Sequence, residues 1–133
     1  MAQNNDIIVV KGDTARWSGF FTGLTSGSTF NFGGTTLYMQ VRTGYYNEPL
    51  VVGYTQYIET NATLAYPKGI TGGISAGATG GTLNFCIGSS FANNLTADRM
   101  CKYDVKVYHS SLQDLQTILR GNIQVLSNVS QIT

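Results

Sequence analysis

Titratable and metal-binding side chains are scarce in this chain. Among 133 residues there are one histidine, two cysteines and two prolines, and only 11% of residues are charged. A lone His109 cannot form a histidine cluster, and Cys86 and Cys101 do not make a C-x-x-C pair, so a structural zinc is not expected. A hydrolytic triad needs a base oriented between an acid and a nucleophile. Ser110, Ser111 and Asp114 adjoin His109, but adjacency in one polar link does not supply that geometry. Asp13, Glu48, Glu59, Asp98, Asp104 and Asp114 fall in separate turns and strand faces, which gives a paired-acid site no support. Gly72-Gly73 and Gly80-Gly81 are not followed by lysine at P-loop spacing or by a helix start. The expectation is a non-enzyme that uses no cofactor.

Two further absences bear on partners and compartment. The formal net charge is only +1, and Lys11, Arg16, Arg42, Lys68, Arg99, Lys102, Lys106 and Arg120 are spread along the sequence. Nucleic-acid binding is therefore not expected. No positive stretch precedes a long apolar run at the N-terminus, and apolar runs elsewhere are short, so neither a signal peptide nor a membrane span is expected. Both cysteines should be free thiols, as suits a cytosol-like compartment. Cys86 lies on the opposite phase from Leu83, Phe85 and Ile87, whereas Cys101 shares the phase of its apolar neighbours, and a disulfide between an outward and an inward position is awkward.

What is abundant points to β-structure. Sixteen glycines, eight tyrosines and many Thr and Asn describe a turn-rich sheet protein of one domain. The clearest pattern is C-terminal: Cys101, Tyr103, Val105 and Val107 alternate with Lys102, Asp104 and Lys106. Thr117, Leu119, Gly121, Ile123 and Val125 then alternate with Gln116, Arg120, Asn122 and Gln124. The polar link His109 to Leu115 suits a hairpin loop. Upstream, strands are expected at Ile7 to Val10, around Trp17, at Leu37 to Arg42, Leu50 to Thr55, Gln56 to Thr60 and Thr82 to Ile87, with a short helix over Ser89 to Leu95. In all, about seven or eight short strands suit a single all-β, immunoglobulin-like antiparallel sandwich. Its interior should hold Trp17, Met39, Val41, Phe85, Tyr103, Val105 and Ile123, with residues 1–6 and 128–133 as extended termini.

Two stretches stand out as contact surface. Ala62 to Gly81 is longer than loops of compact domains normally are and is rich in glycine, which reads as a long loop that is mobile or gripped by a partner. Tyr38, Tyr45, Tyr46, Tyr54, Tyr57 and Tyr66 crowd one part of the sequence, and exposed tyrosines anchor interfaces or stack on sugars. The candidate interface is Tyr45, Tyr46, Tyr54, Tyr57, Tyr66, Gly72 and Gly73, with glycan binding as the alternative use.

The order of motifs adds a family. Ile7-Ile8-Val9-Val10-Lys11-Gly12-Asp13-Thr14, Tyr38-Met39-Gln40-Val41-Arg42, Gly81-Thr82-Leu83-Asn84-Phe85, Tyr103-Asp104-Val105-Lys106-Val107 and Leu119-Arg120-Gly121-Asn122-Ile123-Gln124-Val125 together resemble small β-sandwich virion proteins of tailed bacteriophages. The resemblance is to the N-terminal domain of baseplate upper proteins and related virion proteins. It implies a structural or adaptor subunit located in the virion and assembled in the host bacterial cytoplasm. Its partners would be capsid, portal, tail or fibre proteins, with multiple copies per particle, no membrane and no carried-over catalytic residues. Gly12 and Gly121 are expected to supply backbone freedom and Asp13 a turn bond. The Ala62 to Gly81 insertion departs from that family, and so does the lack of a further domain after Thr133. That lack suggests a stand-alone auxiliary capsid (decoration) protein or a head-fibre or tail attachment protein.

Overall fold

A computed structural model describes residues 3–22, 30–43, 49–92, 100–110 and 112–127. The elements in chain order are β1 (Gln3–Asn4), β2 (Ile7–Val10), β3 (Ala15–Phe20), β4 (Thr35–Arg42), β5 (Leu50–Ile58), β6 (Gly72–Ala76), β7 (Thr82–Ile87), the helical turn α1 (Ser89–Ala92), β8 (Met100–His109) and β9 (Asp114–Leu126). The chain is all-β, in two sheets. Among the described residues one has six strands, ordered β1-β9-β8-β4-β5 with β2 also on β9, and the other has three, ordered β3-β7-β6.

The alternating side chains explain the layering. In β4, Leu37, Met39 and Val41 are buried while Gln40 is exposed, and β8 buries Cys101, Tyr103, Val105 and Val107 on the same side. Leu83, Phe85 and Ile87 of β7 face them from the smaller sheet in one hydrophobic cluster, against which Trp17 packs. Trp17 stacks on Phe85 with ring centroids 5.3 Å apart, and Phe85 meets Tyr103 at 5.8 Å, so an aromatic row crosses from one sheet to the other. Six of the seven residues expected to share one interior lie in this cluster, and the seventh, Trp17, is half-buried and packs against it.

Several expectations are corrected by the pairing. The larger sheet is mixed, because β1 and β2 run parallel to β9. Of the terminal stretches, Gln3–Asn4 pairs with β9, while residues 1–2 and 128–133 lie outside the described residues. Leu50 to Thr60 is one strand, since β5 stays paired with β4 from Leu50 to Ile58 with a single register shift at Val41/Arg42. The glycine-rich segment is no simple loop: β6 lies within it, Ile74 and Ala76 face the core, and β7 supplies its ladder. A register shift between Val105 and Lys106 leaves Ile118 without a partner, so Thr117 pairs with Lys106 on the outer face instead of lying inward. Phe91 and Leu95 were expected to close one end of the core; α1 ends at Ala92, and both side chains lie outside what is described.

The two turn glycines divide by mechanism. Gly12 has φ of 89°, a left-handed conformation, and the following Asp13 amide donates to the Val10 carbonyl at 2.9 Å. Gly121 is required for space: a Cβ there would run into the Asn5 carbonyl, which also accepts the Tyr103 hydroxyl at 2.7 Å. Gly121→Ala should therefore cost about 1–3 kcal/mol by overpacking. By contrast Gly80→Ala, at φ of 97° with no atom within 4 Å of its Cβ, should cost only the left-handed penalty of about 1 kcal/mol. Urea denaturation midpoints check the ranking, which reverses if conformation matters more than space at Gly121.

Candidate functional site

Residues 62–71 cross the outer face of the three-stranded sheet as a strap. The Arg16 guanidinium donates from Nη1 to the Pro67 carbonyl at 3.0 Å, and the Thr14 hydroxyl donates to the Gly69 carbonyl at 3.0 Å. This cover explains why β7 is buried on both faces, and it corrects the outward placement of Cys86, which is fully buried. Cys86 and Cys101 are both free thiols. Burial pushes both above the usual thiol range, for Cys86 against the pull of Arg16, so neither is a ready nucleophile. Asn84 is buried in the same strand, and neither atom of its amide has a hydrogen-bond partner.

Beside the strap lies a groove of about 560 Å³, lined by Gly53 to Gln56 of β5, Gly72 to Ser75 of β6 and Ala65 to Pro67. Its two walls are terminal strands of different sheets, β5 and β6. Each has one edge not taken up by a strand among the described residues, the backbone arrangement that accepts an added strand. Tyr54 ties the walls together. Its hydroxyl donates to the Thr71 carbonyl at 2.9 Å and accepts from the Gly88 amide at 3.4 Å. Burial raises its pKa despite the Gly88 hydrogen bond.

Of the residues expected at an interface, Tyr54, Tyr66, Gly72 and Gly73 line this one groove. Tyr66 is 71% exposed at the groove's rim. Tyr57 is exposed on β5 but does not line the groove, and Tyr45 and Tyr46 lie outside the described residues. Gly72 is required by both conformation and space: its φ is 74°, and a Cβ would strike the Cys86 carbonyl and the Tyr54 hydroxyl. Sequence reasoning missed Gly53, Thr55 and Gln56, because edge position depends on which distant strands pair. His109 ends β8 with its ring 6.2 Å from that of Phe30, and Ser111 lies outside the described residues. Among the described residues no three His, Cys, Asp or Glu side chains gather as a metal site.

Neither a protein-family model nor a curated protein matches this chain. The groove's chemistry must therefore be read from its own atoms. It offers strand edges, glycine backbone and aromatic rim, which suit binding of an extended polypeptide. Tyr54→Phe removes the strut between its walls and should cost about 1–2 kcal/mol, measured by urea denaturation. An unchanged midpoint would mean that the two sheets need no tie at this corner.

Proposed function

We propose that the protein is a non-enzymatic structural component of a tailed-bacteriophage virion, an immunoglobulin-like sandwich that docks on neighbouring subunits through edge strands and loops. The observation that carries this reading is the groove between β5 and β6, where two strand edges from different sheets flank one opening. An extended segment of a capsid, portal, tail or fibre protein would add to either edge by backbone hydrogen bonds and set its side chains against Tyr66 and Pro67. The order of phage-like motifs supports the same reading, since the KGDT turn separates β2 from β3 and the remaining motifs fall on β4, β7, β8 and β9. An auxiliary capsid protein or a head-fibre or tail attachment protein fits a domain whose working parts are its edges.

A glycan platform built from the tyrosines is the second reading. Tyr57 and Tyr66 are exposed enough to serve it. Tyr54 is not, because its hydroxyl is committed to Thr71.

The docking reading is tested on particles. Mass spectrometry of purified virions should find the chain in multiple copies, and its absence from infectious particles would remove the proposal. A Cβ at Gly53 would meet only the Leu50 side chain, at 3.5 Å or more, so a side chain fits there without strain. Gly53→Arg should therefore fold normally by circular dichroism yet lower particle occupancy by about tenfold, equivalent to about 1.4 kcal/mol.

A further inference from the structure

The outer face of the six-stranded sheet gathers charges that the sequence disperses. Cross-strand register sets Arg42 opposite Lys102 and Lys102 opposite Asn122. Two residues along, Gln40 stands opposite Asp104 and Asp104 opposite Arg120, and beyond them Lys106 stands opposite Thr117. Four of the eight Lys and Arg residues, namely Arg42, Lys102, Lys106 and Arg120, thereby line one cleft of about 740 Å³. Among the described lining residues there are also two carboxylates, Asp6 and Asp104, so four positive charges less two negative leave an excess of two among them.

Neutral oxygens orient these cations. Lys102 Nζ donates to Asn122 Oδ1 at 2.9 Å, Lys106 Nζ to Thr117 Oγ1 at 2.7 Å, and Arg120 Nε to Asn4 Oδ1 at 3.3 Å. Arg42 Nη2 donates to Gln40 Oε1 at 3.0 Å. Lys106 also lies 4.0 Å from Asp104, at the limit of an ion pair. Side chains on one face of a strand repeat every ~6.8 Å, and neighbouring strands lie ~4.8 Å apart. The result is a fixed grid of donors and acceptors on the scale of a six-membered ring with its substituents.

We propose that this cleft binds an acidic, hydroxyl-rich carbohydrate, one whose sugars carry carboxylate groups. Arg and Lys on the grid take the carboxylates, bidentate where guanidinium geometry allows. Asp104, in the middle of the grid, would repel a bare polyanion but accepts protons from sugar hydroxyls, as do the amide oxygens of Asn4, Gln40 and Asn122. Partial burial raises the pKa of the Asp104 carboxyl against the pull of Lys106 and Arg42, while its side chain stays 39% exposed and open to an incoming donor. A single nucleic-acid strand fits less well, because stacking aromatics are needed and Tyr103, the one aromatic in the lining, spends its hydroxyl on Asn5. The volume lies within the ~300–1,000 Å³ of small-molecule sites. The cleft shares no residue with the β5–β6 groove, so the two proposals stand separately.

The test uses the whole chain with trigalacturonate, the neutral trisaccharide maltotriose and polyphosphate, followed by saturation-transfer NMR and calorimetry at ~50 mM and ~500 mM salt. Trigalacturonate should bind, maltotriose should bind about tenfold more weakly or worse, and high salt should weaken the acidic sugar. The double variant Lys102→Gln, Arg120→Gln should lose about tenfold or more, with folding checked by circular dichroism and Arg42→Gln as the second variant should the double one unfold. Asp104→Leu, which removes the acceptor together with the charge, should weaken trigalacturonate while strengthening polyphosphate. Ser75→Arg, on the β6 wall of the groove and in the other sheet, should leave sugar binding unchanged, which separates failure here from failure of the docking reading. The proposal is overturned by absence of saturation transfer at millimolar sugar, by indifference to the cation variants, or by Asp104→Leu strengthening both anions alike, which would mark a plain polyanion face.

Discussion

The structure depends on the satisfaction of β9 along both of its edges. Thirteen residues of extended backbone present a long row of donors and acceptors, and an open edge of that length would pair with any neighbouring chain. Here β8 takes one edge antiparallel, while β1 and β2 take the other in parallel. The interruption between β1 and β2 falls at Gly121. Around that point the Asn5 amide donates to the Arg120 carbonyl at 3.0 Å, the Asn122 amide donates to the Asp6 carboxylate at 3.0 Å, and the Tyr103 hydroxyl reaches the Asn5 carbonyl. Three hydrogen bonds converge where a Cβ could not fit. The same arrangement brings Asn4 and Asp6 to the rim of the charged cleft, so fold closure and the cleft's shape share one cause.

From that constraint follows the asymmetry of the two outer faces. The six-stranded sheet leaves its outer face open to solvent, with Lys102, Asp104 and Lys106 alternating against buried residues along β8. The three-stranded sheet is covered on its outer side by residues 62–71, so β7 reads Thr-Leu-Asn-Phe-Cys-Ile, nearly continuous in buried side chains. A strand enclosed on both faces loses the period of two that marks half-buried strands. Asn84 carries the cost of that enclosure, since its amide finds no hydrogen-bond partner.

How much was legible in the sequence follows the same division. Strands buried on one face, β4 and β8, were read in the right phase, because each side chain's environment depends only on its parity. Cys86 was misplaced because its parity no longer decided its exposure once the strap lay over β7. Thr117 was misplaced because a bulge at Ile118 shifts parity by one, and no residue type announces a bulge there. The parallel pairing of β1 and β2 was illegible for a different reason: it joins residues more than a hundred positions apart, and nothing local encodes the partner. Within the candidate groove, Tyr66 and the paired glycines were visible as residue types. That β5 and β6 are strand edges was not, since an edge is defined by the neighbour it lacks.

Charge shows the limit of sequence reading most sharply. Spread along the chain, eight basic residues and a net charge of +1 read as no electrostatic footprint. Folding rearranges them without changing the sum. Because β4, β8 and β9 are adjacent, any polar position on one is a neighbour of two others, and the parity that buries Val41, Tyr103 and Ile123 must turn Arg42, Lys102 and Asn122 outward together. A hydrophobic pattern sufficient to build the core is therefore sufficient to assemble the polar grid on its reverse side. The composition of that grid is free to vary without disturbing the interior. Such a surface is where a sheet protein can acquire a ligand at the least cost to its fold, and it is the face on which four of the eight basic residues have collected here.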